Sequence, residues 1–142
     1  MSTLHVEIVT PEAALWVGEA TALIARSSEG FFTIMPQHTA TVGDIVSSVV
    51  RVQTAEGEIA FAVHGGYFQV GPGEDGSTMA TVLAGIAEKT SDIDVARAQA
   101  AKEAAEAQIA AETRAEAHDT STHLVAHAAL ERAELRLRAA SK

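Results

Sequence analysis

The stretch DIDVARAQAAKEAAEAQIAAETRAEA, residues 92–117, decides the fold class of this chain, because the periodicity of the sequence changes where it begins. It consists mostly of alanine and charged residues, and alanine has the highest intrinsic helix propensity. An apolar stripe at steps of three and four residues runs through Ile93, Ala96, Ala100, Ala104, Ala107 and Ala111. This spacing predicts a long helix whose buried face is lined mainly by methyl groups.

A second helix is predicted downstream of a polar break that offers new N-caps, Asp119-Thr120-Ser121-Thr122. The seam of this helix has the four-three-four-three spacing of a coiled coil. It runs through Ala126, Leu130, Ala133, Leu137 and Ala140. The tail is therefore predicted to be an antiparallel helical hairpin, with helices over about 92–118 and 122–140 and caps for the first helix at 90–92.

A methyl-lined helix face attaches weakly. Burying a leucine fully contributes about 1.5–3 kcal/mol, whereas a methylene-sized group contributes about 0.8 kcal/mol. On the second helix, Leu124, Ala128 and Leu135 form a partial stripe opposite the seam. Either this helix lies between two surfaces or changes face between states, or it is an ordinary amphipathic helix with stray leucines.

The first 88 residues have the patterns of β structure. Leu4, Val6 and Ile8 alternate with polar residues, and strands are also predicted over 20–26, 45–53, 58–64 and 78–84. Turn signals separate these segments, including Ala55-Glu56-Gly57. Short strands at regular spacing predict a sandwich or a flattened barrel. The fold class is α+β in two parts, an all-β domain over 1–88 and a helical hairpin over 89–142.

The charge distribution argues against two kinds of binding partner. The net charge of −9 disfavours nucleic acid and anionic lipid as main partners, because both bind basic surfaces. Only the last segment, 122–142, is net basic, with four basic residues against two acidic ones. The N-terminus lacks the pattern of a secretory signal, and no apolar run is long enough to span a bilayer. We therefore expect a soluble intracellular protein.

No arrangement of residues predicts an enzyme. His123 and His127 lie four apart on the second helix, with His118 nearby, but no acidic residue completes a metal site at ligand spacing. His38 and His64 lie in or beside predicted turns and have no placed nucleophile or acid. We predict neither a metal site nor a catalytic residue.

One polar set could bind a phosphate-bearing ligand if the hairpin brings its members together. The set comprises Glu88, Asp94, Arg97, Arg132 and Arg136. Guanidinium groups suit phosphate, and a carboxylate suits ribose or amine donors. The alternative is a group of ordinary surface ion pairs, which spacing alone favours.

Four segments in order resemble the epsilon subunit of the rotary ATP synthase over nearly the full chain. They are SSEGFFTIMPQHTATV (27–42), HGGYFQV (64–70), TVLAGIAE (81–88) and DIDVARAQAAKEAAEAQI (92–109). The resemblance implies a sandwich of about ten strands and a non-catalytic role in the central stalk. It also implies a hairpin that folds against the sandwich or extends into the catalytic head, where it restrains ATP hydrolysis.

The resemblance also implies partners, a location and site residues. The partners are the gamma subunit, the membrane c-ring and the catalytic alpha and beta subunits, at the cytoplasmic face of a bacterial membrane that is touched only through the ring. Glu29, Gly30 and Phe31 match the loop that faces the c-ring, and His38 matches a position that faces gamma. Phe31 either contacts the ring or packs inward.

ATP-binding members of the family open the first helix with a motif that Ile93-Asp94-Val95-Ala96-Arg97-Ala98 fits in full. Glu88 and the pair Arg132 and Arg136 resemble the remaining ATP-binding positions, so regulatory ATP is the expected ligand, although no cofactor is required. Two departures stand out: Phe31-Phe32-Thr33 replaces a polar-Leu-Gly run, and Gln37 replaces a glycine. The alternative function is a stand-alone sandwich that binds a small ligand and carries a helical interaction arm.

Overall fold

A computed structural model describes residues 3–114 and 120–141 of the chain, excluding the side chains of 112–114 and 120–123. Its strands are β1 (Leu4–Val9), β2 (Ala14–Ala20), β3 (Ala22–Ser27), β4 (Gly30–Ile34), β5 (Thr41–Ile45), β6 (Ser48–Thr54), β7 (Gly57–Val63), β8 (Gly66–Pro72), β9 (Thr78–Ala84) and β10 (Ala87–Lys89). Its helices are α1 (Val95–Arg114) and α2 (Thr120–Ala140), with 3-10 turns at Glu74–Gly76 and Thr90–Asp92. The chain divides into two units, Met1–Ser91 and Asp92–Lys142.

The first unit is a β-sandwich of two five-stranded sheets, which confirms the predicted fold class. The first sheet has the order β2-β1-β9-β8-β5, and the second has the order β10-β7-β6-β3-β4. Neighbouring strands are antiparallel except β1 and β9, which run parallel. The family resemblance implied about ten strands, and the described residues form ten. The strand pattern had left a sandwich or a flattened barrel open, and the structure is a sandwich.

Alternating side chains from both sheets form the core. Leu4, Val6 and Ile8 of β1 are fully buried, as the alternation predicted. Phe61 is the largest fully buried side chain, and Phe32 stacks on Phe68 with ring centroids 4.4 Å apart. Because the core contains branched aliphatic and aromatic groups from both sheets, burial of apolar surface stabilises this unit.

The strand predicted over 45–53 is wrong in one respect, because two strands share this segment. β5 ends at Ile45 and β6 begins at Ser48, and these strands belong to different sheets. Ser48, Val50 and Val52 are buried on one face, as predicted. The Ser48 hydroxyl donates to the Val46 carbonyl at 2.7 Å where the chain crosses between the sheets. Periodicity did not reveal the crossing, since apolar residues continue through it.

Helix α1 begins at Val95, and Asp94 is its N-cap. The Arg97 backbone N–H donates to the Asp94 carboxylate at 3.0 Å, and the Ala98 N–H donates to the Asp94 carbonyl at 3.0 Å. The sequence placed the cap at 90–92, but those residues form a 3-10 turn instead. The start of the helix is therefore three residues later than predicted, because Asp94 is the cap and its carboxylate accepts from the N–H of the third helical residue.

The buried face of α1 differs from the predicted stripe. Ala98 and Ala105 are buried, whereas Ala100, Ala104 and Ala107 are exposed. These two sets lie on roughly opposite sides of the helix at 3.6 residues per turn. The prediction failed because alanine occurs all round this helix, so several faces fit the helical period equally well. Residues 115–118, which the sequence assigned to the first helix, and Asp119 of the predicted break lie outside the described residues.

Helix α2 packs against α1 and is buried on two sides. Ala126 and Ala133 of the predicted seam are buried, and Leu130 and Leu137 are half-buried. On the opposite side Leu135 is 1% exposed and Ala139 is 2% exposed, whereas Leu124 is 63% exposed. The second stripe is therefore buried in its C-terminal half only, which excludes the interpretation of Leu135 as a stray surface leucine.

Candidate functional site

The loop matched to the c-ring position is the tip of the β3–β4 hairpin. The Ser27 hydroxyl accepts the Glu29 N–H at 3.1 Å and donates to the Gly30 carbonyl at 3.2 Å. Gly30 has φ of +128°, a conformation that favours glycine over other residues. The local hydrogen bonds give a tight turn that presents the side chains of Glu29 and Phe31 at its end.

Phe31 points outward, which excludes the alternative that it packs inward. Its side chain is 73% exposed, and the Arg26 guanidinium carbon lies 5.4 Å from its ring centroid. Its neighbour Phe32 takes the inward position and packs against the core. An exposed aromatic ring beside a cation is suited to contact with an apolar or carbonyl-bearing surface.

Asp44 holds this tip and was missed by the sequence analysis. Its two carboxylate oxygens accept from Ser28, one from the backbone N–H at 3.0 Å and one from the hydroxyl at 3.1 Å. Asp44 lies on β5 of the first sheet, whereas the tip belongs to the second sheet. A lone acid inside a strand is the only signal in the sequence, and it does not identify a partner sixteen residues away.

His38, the predicted gamma-facing residue, is exposed and follows a tight turn. Its N–H donates to the Met35 carbonyl at 3.1 Å, and its Nδ1 lies 2.8 Å from the Thr39 carbonyl. Gln37, which occupies the position of a family glycine, has φ of +70°, and its N–H donates to the Thr78 hydroxyl at 2.7 Å. The turn therefore keeps a glycine-like backbone despite the substitution.

The outer face of the first sheet carries exposed apolar side chains that the sequence analysis did not single out. We call it the apolar sheet face, and it comprises Val17, Val42, Tyr67 and Leu83. Tyr67 and Leu83 are paired in register on β8 and β9, and the two valines lie on the edge strands β2 and β5. Tyr67 is 64% exposed and Val42 is 74% exposed. Large exposed apolar groups on one sheet face are typical of a protein-binding surface.

The predicted ATP-binding residues are divided between the two units. Glu88 lies on β10 of the sandwich unit, where its carboxylate is 3.9 Å from the Nε2 of His64. Asp94 and Arg97 open α1, and Arg97 is exposed.

The arginine pair lies in the C-terminal half of α2. Arg132 and Arg136 are half-buried, one helical turn apart. α1 and α2 pack against each other. Asp94 and Arg97 belong to the start of α1, whereas the arginine pair belongs to the second half of α2.

His64 precedes a tight turn rather than a phosphate-binding loop. Gly65 has φ of +86°, and a Cβ at Gly66 would collide with the carbonyl oxygen of Leu83 on the neighbouring strand. The predicted turn into a strand is confirmed, since β8 starts at Gly66. The glycines are required by this close approach of two backbones.

Among the residues that the structure describes, no group of three His, Cys, Asp or Glu side chains could hold a metal ion. His127 is exposed on α2. His118 and the side chain of His123 lie outside the described residues. No helix in the described part of the chain combines the length and apolar character needed to cross a bilayer.

A β-sandwich followed by a helical hairpin defines a two-part α+β protein. Two family models match this chain. The ATP synthase Delta/Epsilon chain beta-sandwich domain matches residues 3–90, and the Delta/Epsilon chain long alpha-helix domain matches residues 91–141. The chain belongs to the delta/epsilon chain family of ATP synthase.

Individual relatives agree with this assignment. The ATP synthase epsilon chain of Levilactobacillus brevis is 37% identical over 139 residues, which cover 98% of this chain and 95% of that protein. The epsilon chain of Thermobifida fusca is 44% identical over 106 residues, covering 72% and 74%. A chain of the mitochondrial ATP synthase of Euglena gracilis, solved by cryo-EM, has a TM-score of 0.76 at 19% identity and covers 100% of this chain and 83% of its own, which shows the same fold.

Proposed function

We propose that this chain is a non-catalytic central-stalk subunit of a bacterial proton-translocating ATP synthase, peripheral at the cytoplasmic face of the membrane. The observation that carries the proposal is the match of both family domains in order over residues 3–141. The sandwich supplies the contact surfaces that such a role needs, and they lie at distinct places on one stable core.

The apolar sheet face is the proposed contact for the gamma subunit, and the β3–β4 tip is the proposed contact for the c-ring. Tyr67 and Leu83 offer apolar area for a permanent interface, which is richer in apolar groups than a transient one. Phe31 and Glu29 at the tip offer an aromatic ring and a carboxylate to the polar loops of a ring. His38 is proposed to lie at the rim of the gamma contact.

The helical hairpin is the proposed regulatory element, which restrains ATP hydrolysis by contact with the catalytic alpha and beta subunits. Its buried positions are mostly alanines, so repacking its helices changes little buried area per residue. A rearrangement with a small free-energy difference can be shifted by a partner or a ligand. The basic end of α2, which contains Arg136 and Arg138, suits acidic segments of the catalytic subunits.

Deletion of residues 119–142 tests the regulatory role. ATP hydrolysis is measured in membranes that contain the assembled complex, with the intact chain and with the deleted chain. We expect hydrolysis to rise severalfold on deletion, because the restraint is lost. Unchanged hydrolysis, with the shortened chain still bound to the complex, would reduce the role of the protein to coupling gamma to the ring.

We also propose that the hairpin binds regulatory ATP, with the Asp94 and Arg97 motif and the Arg132 and Arg136 pair as its contacts. The support is the family resemblance of these residues and their presence on the two packed helices of one unit. Guanidinium groups bind phosphate oxygens in bidentate geometry. Glu88 matches a position that ATP-binding relatives use and is included as a candidate contact.

Calorimetric titration of the full chain with ATP tests this second proposal. Arg132→Ala should weaken binding at least about tenfold, as loss of a charge-assisted hydrogen bond does. The matched control is Arg138→Ala, since Arg138 is an exposed arginine on the same helix. Equal binding by both variants would exclude Arg132 as a contact, and no heat of binding to the unaltered chain would overturn the ATP proposal.

Co-purification separates the central-stalk proposal from the alternative of a stand-alone ligand-binding sandwich. The chain is tagged in its native host and isolated with its partners at physiological salt. A stable complex with a gamma-type subunit supports the stalk role. Recovery of a monomer that binds a small molecule would support the alternative.

A further inference from the structure

The two proposed contact surfaces of the sandwich belong to different sheets. The apolar sheet face is on the first sheet, and the β3–β4 tip extends from the second. Force that passes from gamma to the ring must therefore cross between the sheets. On the β3–β4 hairpin the core contacts nearest the tip are those of Ala25 and Phe32, so the residues of the tip itself are held by hydrogen bonds outside the core.

Asp44 bridges the two sheets at the tip. Its carboxylate accepts from the Ser28 N–H at 3.0 Å and from the Ser28 hydroxyl at 3.1 Å. Alongside, the Val46 N–H donates to the Arg26 carbonyl at 3.0 Å, so the two backbones are already close. Hydrogen bonds to an ionised group are about twice as strong as neutral ones, and two acceptor oxygens also fix direction.

Asp44 also adjoins the apolar sheet face. It is paired in register with Tyr67 across the β5–β8 ladder, and Val42 lies two residues before it on the same strand face. Asp44 is only half-buried, while Val42 and Tyr67 beside it are exposed. Its side chain thus lies where the proposed gamma contact ends and the proposed ring contact begins.

We propose that Asp44 is a positioning residue that fixes the β3–β4 tip to the gamma-facing sheet, so that rotation of one surface turns the other. The inference rests on the proposed function, because it assumes that the tip meets the ring. Asp44 itself touches neither partner in this role. It acts through Ser28, which precedes the ring-facing residues Glu29 and Phe31.

The first measurement is hydrogen exchange of the Ser28 amide in the full-length chain. Asp44→Ala removes both acceptors, whereas Ser28→Ala removes only the hydroxyl bond and keeps the amide bond. We expect the Ser28 amide to exchange at least about tenfold faster in Asp44→Ala, with a smaller change in Asp44→Asn, which keeps one acceptor oxygen. Glu56→Ala, which removes an exposed carboxylate at the β6–β7 turn, is the matched control.

The second measurement is ATP-driven proton pumping per ATP hydrolysed, in membranes that hold the assembled complex. We expect a severalfold loss for Asp44→Ala, a smaller loss for Asp44→Asn and Ser28→Ala, and no loss for Glu56→Ala. Retention of the variant chain in the complex is verified in each case. If the Asp44→Ala chain does not assemble, the proton pumping of Asp44→Asn and of Ser28→Ala is compared with that of Glu56→Ala in its place.

A double variant of the tip, Glu29→Lys combined with Phe31→Ser, distinguishes failure of the role of Asp44 from failure of the proposed ring contact. If the tip variant uncouples pumping and Asp44→Ala does not, the role of Asp44 is wrong while the ring contact stands. If the tip variant leaves pumping intact, the proposed ring contact fails, and the role of Asp44 fails with it. Loss of pumping in both, with fast Ser28 exchange in Asp44→Ala, supports the inference.

Discussion

The sandwich unit and the helical unit differ in the size of the side chains that they bury. The sandwich buries Phe, Leu, Ile and Val side chains from eight of its strands, whereas the buried side chains of the described helical residues are five alanines and one leucine, Leu135. A large side chain contributes two to three times the free energy of a methyl group when buried. One unit is therefore built as a fixed support, and the other as an element that can be remodelled at small cost.

The largest effect is expected in the sandwich core. Phe61→Ala should lower the free energy of unfolding of this unit by about 3–5 kcal/mol, because it leaves a cavity under a fully buried ring. Urea denaturation followed by fluorescence of the single tryptophan, Trp16, measures this loss. Tyr67→Ala is the control, since Tyr67 is exposed. An equal loss in both variants would show that the core is not the source of the stability.

The next largest effect is expected in the helical unit. Leu135→Ala should lower the stability of the hairpin by about 2–3 kcal/mol, because Leu135 is 1% exposed. Far-UV circular dichroism at the helix band measures the loss, and Trp16 fluorescence should not change with it. Leu124→Ala, at an exposed leucine on the same helix, is the control. One shared transition in both signals would contradict the distinction between the units.

A smaller effect is expected where α1 begins. Asp94→Ala should lower hairpin stability by about 1 kcal/mol, because the Arg97 N–H loses its acceptor. Asp94→Asn keeps an accepting oxygen and should restore most of the loss. Thermal unfolding followed by circular dichroism compares the three chains. Equal damage from both substitutions would mean that the charge, rather than the cap, stabilises this end.

The smallest effect is expected at a turn in the sandwich, and it has the opposite sign. Gln37→Gly should raise stability by about 0.5–1 kcal/mol, because relief of the left-handed backbone exceeds the added chain entropy of glycine. Gln69→Gly, on β8, is the control and should lower stability by a similar amount. Urea denaturation measures both. A loss at Gln37 would show that its side chain has a role that its backbone does not explain.

The alternation of Leu4, Val6 and Ile8 and the helical period after residue 92 were enough to predict two parts and their class. Alternation works because one buried face per strand forces a period of two. The buried face of α1 could not be predicted in this way, since alanine on all sides removes the contrast on which periodicity depends. The cap at Asp94 was also missed, because Thr90, Ser91 and Asp92 are equally good caps by composition.

Some features of the candidate site could likewise be predicted from the sequence, and others could not. The positions of Glu29, Gly30, Phe31 and His38 came from the order of motifs, and the ATP-binding set came from the resemblance of the helix-opening motif and the arginine pair. The outward orientation of Phe31 and the bond between Asp44 and Ser28 could not be predicted. Both depend on which residues from the two sheets meet at the tip, and local periodicity contains no information about such meetings.

By itself, the sequence determined the two-part class, the strand and helix periods and the family of this protein, because each follows from local spacing or from the order of motifs. Only the tertiary structure decided the sheet order, the buried face of α1, the burial of Leu135 and the link from Asp44 to Ser28. These features arise where segments distant in sequence come together. Their free energies depend on contacts that no single segment contains.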